Sequence, residues 1–233
     1  MNAGKSCFRF KRFEVRQDRC AMKVGTDGTL LGAWAHGGQR ILDIGTGTGL
    51  IALMMAQRFP ASHVVAVDID AACVAQATQN VGASPFGNIQ VMEGDICTLQ
   101  LPMADYDAIV VNPPYFVDSL TCPDGQRTTA RHTTMLTYRQ LMETSARWLS
   151  EKGELSVVIP FDCKGRLETE AVLAGLHKVR ECAVRTTPRK SPRRYLLAFS
   201  HHAAPLEQEE VVLESAPGVR SNWYQQMTKD FYL

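Results

Sequence analysis

The sequence has no run of about 18 apolar residues, which excludes a helix long enough to span a bilayer. Its opening residues, Met1-Asn2-Ala3-Gly4-Lys5, lack the apolar core of a signal peptide, so the cytoplasm is the expected compartment. No CxxC pair occurs among the seven cysteines, Cys7, Cys20, Cys73, Cys97, Cys122, Cys163 and Cys182. They are odd in number and scattered, no zinc ligand set follows from their spacing, and no metal is expected. Inert thiols in a reducing compartment fit this usage. The net charge is only +1, but it is unevenly distributed. There is no internal repeat and no shift of composition that marks a second domain. The 233 residues read as one domain, with residues 1–36 as an N-terminal basic arm and short helix.

What is present fits a soluble globular chain, 45% apolar and 21% charged. Short apolar runs alternate with helical segments. Arg40–Ile44, Val64–Val67, Ile89–Met92, Asp107–Val111 and Glu154–Ile159 read as strands buried on both faces of a parallel sheet. Helices are expected at Thr29–His36, Leu50–Phe59, Ala71–Asn80, Tyr138–Leu149 and Arg166–Leu176. Gly153 reads as a break before the fifth strand. Val179–Thr186 and Tyr195–Ser200 form a closing hairpin, giving seven strands. Val211–Leu213 is a candidate short edge strand, Phe8–Val15 a hairpin or extended arm, and Asn222–Leu233 a helix or ordered tail.

Between the first strand and the first long helix lies Asp43-Ile44-Gly45-Thr46-Gly47-Thr48-Gly49. Gly45, Gly47 and Gly49 permit a tight turn and close approach to a ligand. The spacing differs from the dinucleotide fingerprint, no Lys-Ser/Thr follows, and an acid opens the loop, a poor neighbour for a pyrophosphate. Asp43 instead suits a ligand bearing an amino group or a sulfonium, and S-adenosylmethionine has both. Asp68, at the end of the second strand, offers two oxygens to ribose hydroxyls. Asp70 is the rival for that role, and either acid could simply cap the next helix. Asp95 is placed to accept from an adenine amino group, with Ile96 and Ile69 covering the two ring faces.

The fourth strand runs into Asn112-Pro113-Pro114-Tyr115. Asn112 supplies a side-chain carbonyl, and Pro114 keeps the Pro113 carbonyl out of a helix. Two acceptors converging on one exocyclic NH2 fix its plane and support the positive charge that develops as a methyl arrives. Tyr115 would stack on the ring carrying that amine. Residues 116–133 form a loop long enough to serve as a substrate-facing lid. Its Arg127, Arg131 and His132 are candidate substrate contacts. Basic residues cluster in two places: residues 1–23, and Arg185, Arg189, Lys190, Arg193 and Arg194 with no acid between them. Such clusters on a near-neutral chain suit local contact with a polyanion.

These motifs together resemble class I methyltransferases that modify exocyclic or amide nitrogens. Arg19 to Gly28 followed by Leu30-Leu31-Gly32-Ala33-Trp34, with Arg194 to Phe199 and Phe231-Tyr232-Leu233, is more narrowly similar to the bacterial tRNA1(Val) adenine-37 N6-methyltransferase family. The resemblance runs from about Phe8 to Leu233. It implies a Rossmann-like α/β fold, a seven-stranded mostly parallel sheet with an antiparallel closing strand and helices on both faces. It implies methylation of N6 of adenine 37 in valine tRNA by S-adenosylmethionine. It places Lys23, Thr26 and Asp27 against the cofactor's methionine end, and the lid with Arg189, Lys190, Arg193 and Arg194 on the tRNA. A monomer is the expected state. The Asn-Pro-Pro-Tyr motif alone is shared with DNA and rRNA methyltransferases and with protein-glutamine methyltransferases acting on release factors. A noncatalytic RNA-binding scaffold is the reading from a different class; there, decay of Asp43, Asp68 or Asn112 would be expected, and all three are intact.

Overall fold

The computed structural model describes residues 7–20, 23–113 and 136–233. Pro114, Tyr115, Arg127, Arg131, His132 and Cys122 lie outside the described residues. The order is β1 (Cys7–Arg9), β2 (Glu14–Arg16), α1 (Thr26–Trp34), β3 (Arg40–Ile44), α2 (Leu50–Arg58), β4 (His63–Asp68), α3 (Ala71–Gly82), β5 (Ile89–Glu93) and β6 (Tyr106–Val111). After the undescribed stretch come α4 (Tyr138–Trp148), β7 (Leu149–Pro160), α5 (Phe161–Leu173), β8 (His177–Arg185), β9 (Arg194–Ser200), β10 (Glu207–Val212), β11 (Glu214–Ala216), β12 (Val219–Arg220) and α6 (Asn222–Thr228).

The central sheet is ordered β10-β8-β9-β7-β6-β3-β4-β5. β9 alone in this sheet runs antiparallel to its neighbours β7 and β8. The near-continuous apolar strands follow from burial on both faces. Ile41, Val64, Ala66, Ala108, Val110 and Val158 join one core with Leu30, Leu31, Ile51 and Met55 of α1 and α2. Leu42, Val65, Val67, Ile109, Val111 and Val157 point the other way, onto Leu141 and Met142 of α4 and Leu167 of α5. The two-residue period of the strands makes this division.

Local chemistry sets the helix limits. The Phe59 N–H still bonds to Met55, but Pro60 excludes helical geometry at Phe59 itself, and α2 ends at Arg58. Asp70 caps α3 by accepting from the backbone of Ala72 and Cys73. Thr137 and Gln140 form a reciprocal capping box that starts α4. At Gly32, α1 and α2 approach so closely that an added Cβ would lie 2.8 Å from Met54 Sδ.

Among the described residues the sheet has eight strands, not seven. β10 adds itself parallel to β8 beyond the expected closing pair, and it begins four residues before the anticipated Val211. Glu207-Gln208-Glu209-Glu210 has no apolar alternation, so periodicity hides it. The backbone pairing with β8 and buried Val211 hold it, and polar contacts add to this: Glu210 pairs with Arg185 at 2.7 Å, and Trp34 Nε1 donates to Glu209 at 3.2 Å. An acidic edge strand also discourages pairing with another sheet. Gly153 does not break the chain. It lies inside β7 at a register shift, where an added Cβ would come within 2.7 Å of the Tyr106 carbonyl. Helix α5 starts five residues before the expected Arg166, because Pro160 serves as its N-cap residue as well as the last residue of β7.

Half-buried charge braces the same region. Arg180 lies 3.9 Å over the Trp34 ring and grips Glu154 through two hydrogen bonds of 3.0 and 2.7 Å. His36 Nδ1 is 3.2 Å from the same carboxylate. Burial opposes ionisation of Glu154, but the hydrogen bonds of His36 and Arg180 overcome it and hold the carboxyl at about 2.

The β1–β2 hairpin packs on α1 and α2 together with the far end of the chain. Phe10, Phe13, Val15, Leu53, Met54 and Phe231 form a third buried cluster. Lys11 donates from its backbone to the Phe231 carbonyl at 2.8 Å and from Nζ to the Lys229 carbonyl at 2.6 Å. Phe231 is 2% exposed. We expect Phe231→Ala to remove about 3–5 kcal/mol, lowering the thermal midpoint by roughly 10 °C. Thermal unfolding followed by circular dichroism measures this, and an unchanged midpoint would show that the tail is not part of the cooperative unit.

Candidate active site

The C-terminal ends of β3, β4, β5 and β6 open onto a cavity of about 850 Å³. That size accommodates a nucleoside-sized ligand. The location is the usual one for a ligand in an open parallel sheet.

The glycine turn forms one wall. Gly45, Gly47 and Gly49 have φ of 69°, 55° and 81°, left-handed values that disfavour any side chain. The turn is held from two sides. From the interior, Asp43 Oδ2 accepts from Thr46 Oγ1 at 2.6 Å and from the Ala52 backbone at 3.1 Å. From the cavity side, Asp68 Oδ2 accepts from the Gly47 backbone at 2.8 Å. Gly45 and Thr46 donate to the Val67 carbonyl, which ties the turn to β4.

The acidic candidates therefore separate by position. Asp43 is fully buried and does not line the cavity, and Gly49 is likewise set behind it. Burial pushes the Asp43 carboxyl up to about 7; Thr46 and Ala52 pull it down, and the Asp68 charge adds to the rise. Asp43 Oδ1 has no hydrogen-bond partner among the described residues. Asp68 lines the cavity, and its Oδ1 takes the Asp70 backbone N–H at 3.0 Å. Each of its oxygens keeps a lone pair for a ligand. Asp70 is absent from the lining, since its carboxylate caps α3.

Asp95, Ile96 and Ile69 all line the cavity. Asp95 Oδ1 accepts from the Cys97 backbone at 2.9 Å, which orients the carboxylate. Ile96 is buried and forms floor; Ile69 is 52% exposed and forms rim.

Asn112 and Pro113 enter the same cavity from the end of β6. Gly28 of α1 faces Asn112, where an added Cβ would lie 3.8 Å from Nδ2 and 3.2 Å from Leu50 Cδ2. Lys23, Thr26 and Asp27 line the wall beside it. Arg194, expected among the RNA contacts, lies in this wall too, with Nε 2.9 Å from Asp27 Oδ1. The ion pair ties the start of β9 to the start of α1. Arg189, Lys190 and Arg193 are exposed and stand outside the lining.

Several lining residues carried no motif. Leu136 and Gln140 bring the start of α4 to the cavity, and Cys73 brings α3. The Cys73 thiol is held well above its usual range by burial and by its contact with Cys20, which keeps it protonated. Asn80, deep in α3, accepts from the Arg16 backbone at 2.9 Å and donates to the carbonyls of Arg16 and Thr48 at 2.8 Å. It thereby fastens the N-terminal arm to the glycine turn. Among the described residues no group of three or more His, Cys, Asp or Glu is placed to share a metal ion, and no helix is long and apolar enough to cross a membrane.

Residues 29–183 match the family model for the methyltransferase small domain. A protein of Bacteroides thetaiotaomicron described as tRNA1(Val) (adenine(37)-N6)-methyltransferase is 47% identical over 97% of both chains. Those of Phocaeicola vulgatus and Tolumonas auensis with the same description are 48% and 43% identical over at least 97% of each chain. Among solved structures, a predicted O-methyltransferase of Agrobacterium tumefaciens superposes with a TM-score of 0.66 at 17% identity, covering 88% of this chain and 96% of that one. A TehB-like SAM-dependent methyltransferase of Corynebacterium glutamicum superposes at 0.51 with 19% identity, covering 77% and 89%. These two likenesses establish the fold.

The placement of Asp43 predicts a pH signature. Between about pH 4 and pH 7 the unfolded chain has this carboxyl ionised while the folded protein keeps it protonated. Its contribution to stability is therefore present below pH 4 and lost as the pH rises through 7, by up to roughly 4 kcal/mol at about 1.4 kcal/mol per unit. Asp43→Asn retains an acceptor for Thr46 and Ala52 but cannot ionise. Urea unfolding at pH 5 and pH 8 should show a smaller loss for the variant than for the wild type. Parallel behaviour of the two proteins would sink this account of Asp43.

Proposed function

The chain belongs to the tRNA1(Val) (adenine(37)-N6)-methyltransferase family, and we propose that it methylates N6 of the adenine beside the anticodon of valine tRNA, as a cytoplasmic monomer. The observation that carries this reading is one cavity shared by two kinds of residue. Asp68, Asp95, Ile96 and the glycine turn suit a nucleoside, and Asn112 with Pro113 suits a planar amine.

The residues present fit S-adenosylmethionine. Asp68 would take the ribose hydroxyls, Asp95 the adenine amino group, and Ile96 and Ile69 the ring faces. Lys23, Thr26 and Asp27 would meet the methionine end, where a zwitterion needs donors and acceptors of both signs. When bound, S-adenosylmethionine supplies a methyl group activated by a sulfonium.

The acceptor side is built for orientation. The Asn112 side-chain oxygen and the Pro113 carbonyl accept the two protons of the exocyclic NH2. This fixes the amine's plane and aims its nitrogen lone pair into the cavity. As positive charge develops on nitrogen, the same two dipoles stabilise it without having to reorient. A strong base is unnecessary, because the nitrogen becomes acidic once alkylated and can release its proton to water. The adenine must leave its stack to reach the cavity, and an unpaired loop base does so at small cost. Tyr115, directly after the two prolines, is assigned to stacking on that base. Arg127, Arg131 and His132 are assigned to its flanking phosphates.

Asn112→Ala should lower kcat for valine tRNA by roughly 100- to 1,000-fold, the usual effect of removing one preorganised polar group. Its affinity for S-adenosylhomocysteine, measured by calorimetry, should stay close to wild type. Methyl transfer near the wild-type rate would refute the assigned role of Asn112. Nucleoside mapping of total tRNA treated with the wild-type enzyme should place N6-methyladenosine at position 37 of valine tRNA, and its absence would refute the substrate.

A further inference from the structure

Phe161 opens α5 with 59% of its surface exposed. It directly follows Pro160, the last residue of β7, at the same end of the sheet where Asn112 follows the adjacent strand β6. Its backbone N–H donates to the Arg193 carbonyl at 3.1 Å, which fixes it against the start of β9. Its ring centre lies 6.3 Å from that of Tyr195, and Lys164 Nζ sits 5.2 Å over the Tyr195 ring. The turn between β8 and β9 rises beside this pair. Arg185 and Arg194 are engaged with Glu210 and Asp27. Arg189, Lys190 and Arg193 are exposed and form no ion pair among the described residues. An accessible aromatic face thus stands outside the cavity lining, at the end of the sheet where β6 delivers Asn112, and meets the basic turn at Arg193.

We propose that Phe161, backed by Tyr195, is a stacking platform for the unpaired RNA base adjacent to the acceptor adenine, with Arg189, Lys190 and Arg193 on the neighbouring phosphates. The inference rests on the acceptor being an adenine in RNA. When that adenine leaves its stack, the next base loses a partner on one face, and an exposed ring of the protein replaces it. The flanking cations neutralise the backbone that this base brings along. Nothing in this arrangement reads the identity of the base, because every base has a π face. It therefore selects an unpaired loop rather than a sequence.

The test uses an anticodon stem-loop of valine tRNA and the variants Phe161→Ala, Phe161→Leu and Phe161→Tyr. Loss of one stacked base predicts that Phe161→Ala and Phe161→Leu bind the RNA roughly five- to 150-fold more weakly. Phe161→Tyr should bind like wild type, because it keeps the ring. Thermal midpoints and S-adenosylhomocysteine affinity should not change. Two further RNAs carry an abasic nucleotide immediately 5′ or 3′ of the acceptor. One of them should weaken wild-type binding to the same extent, and Phe161→Ala should then add nothing. Unchanged binding of intact RNA by Phe161→Ala, with normal methylation by the wild type, would overturn the platform alone. So would an equal loss for Phe161→Ala on intact RNA and on both abasic RNAs. Absence of methylation at the acceptor by the wild type would instead overturn the reading of the substrate.

Discussion

Everything at this site depends on one turn being held in a shape that proteins seldom adopt. Three glycines at positive φ make the turn possible, but glycine also makes it loose, and looseness is the opposite of what a ligand wall requires. Two carboxylates remove the freedom. Asp43 pins the turn from the interior through Thr46 and the first turn of α2, and Asp68 pins it from the ligand side through Gly47. Because Asp43 and Asp68 belong to neighbouring parallel strands paired in register, the sheet itself sets the distance between the two clamps.

The four acids of this region share a chemistry and differ in what surrounds them. Asp43 is fully buried and holds the turn through Thr46 and Ala52. Asp70 is consumed by a helix N-terminus. Asp68 and Asp95 each accept backbone N–H groups yet remain open to the cavity, so they are held still while keeping lone pairs available. A carboxylate preoriented by backbone donors loses little entropy on meeting a ligand, which makes it a better partner than a freely rotating one.

Much of this was legible in the sequence. Strands β3 to β6 are short apolar runs buried on two faces, and the acids and glycines fall at their ends, so the order of motifs reproduces the order of elements. The failures have physical causes. β10 is bound by its backbone to β8, and its first four residues are polar, which leaves no hydrophobic period to find there. Gly153 marks a close approach of two strands, and a close approach and a break look alike in one dimension. The separation of Asp43 from the cavity could not be read either, because a carboxylate at a strand end faces inward or outward depending on which backbone donors lie nearby. Gln140 reaches the cavity from a helix 28 positions after Asn112, and its own hydrogen bonds belong to a helix cap, so only the tertiary fold relates it to the site.

Phe231 and Phe10 meet across nearly the whole chain, and Lys11 reaches the carbonyl of Lys229 over 218 positions. The helix they cover is α2, whose Leu50 belongs to the same cluster and, with Ile51, lines the ligand cavity. Closing so long a loop costs entropy, which the buried aromatic contacts and the two Lys11 hydrogen bonds offset. The back wall of the cavity is thus completed by contacts between segments far apart in the sequence. Binding and folding are linked through α2: a ligand that prefers the finished wall also holds the two distant segments together, and loosening them weakens the ligand by the same free energy. Residues far from the cavity thereby contribute to its ligand affinity through α2.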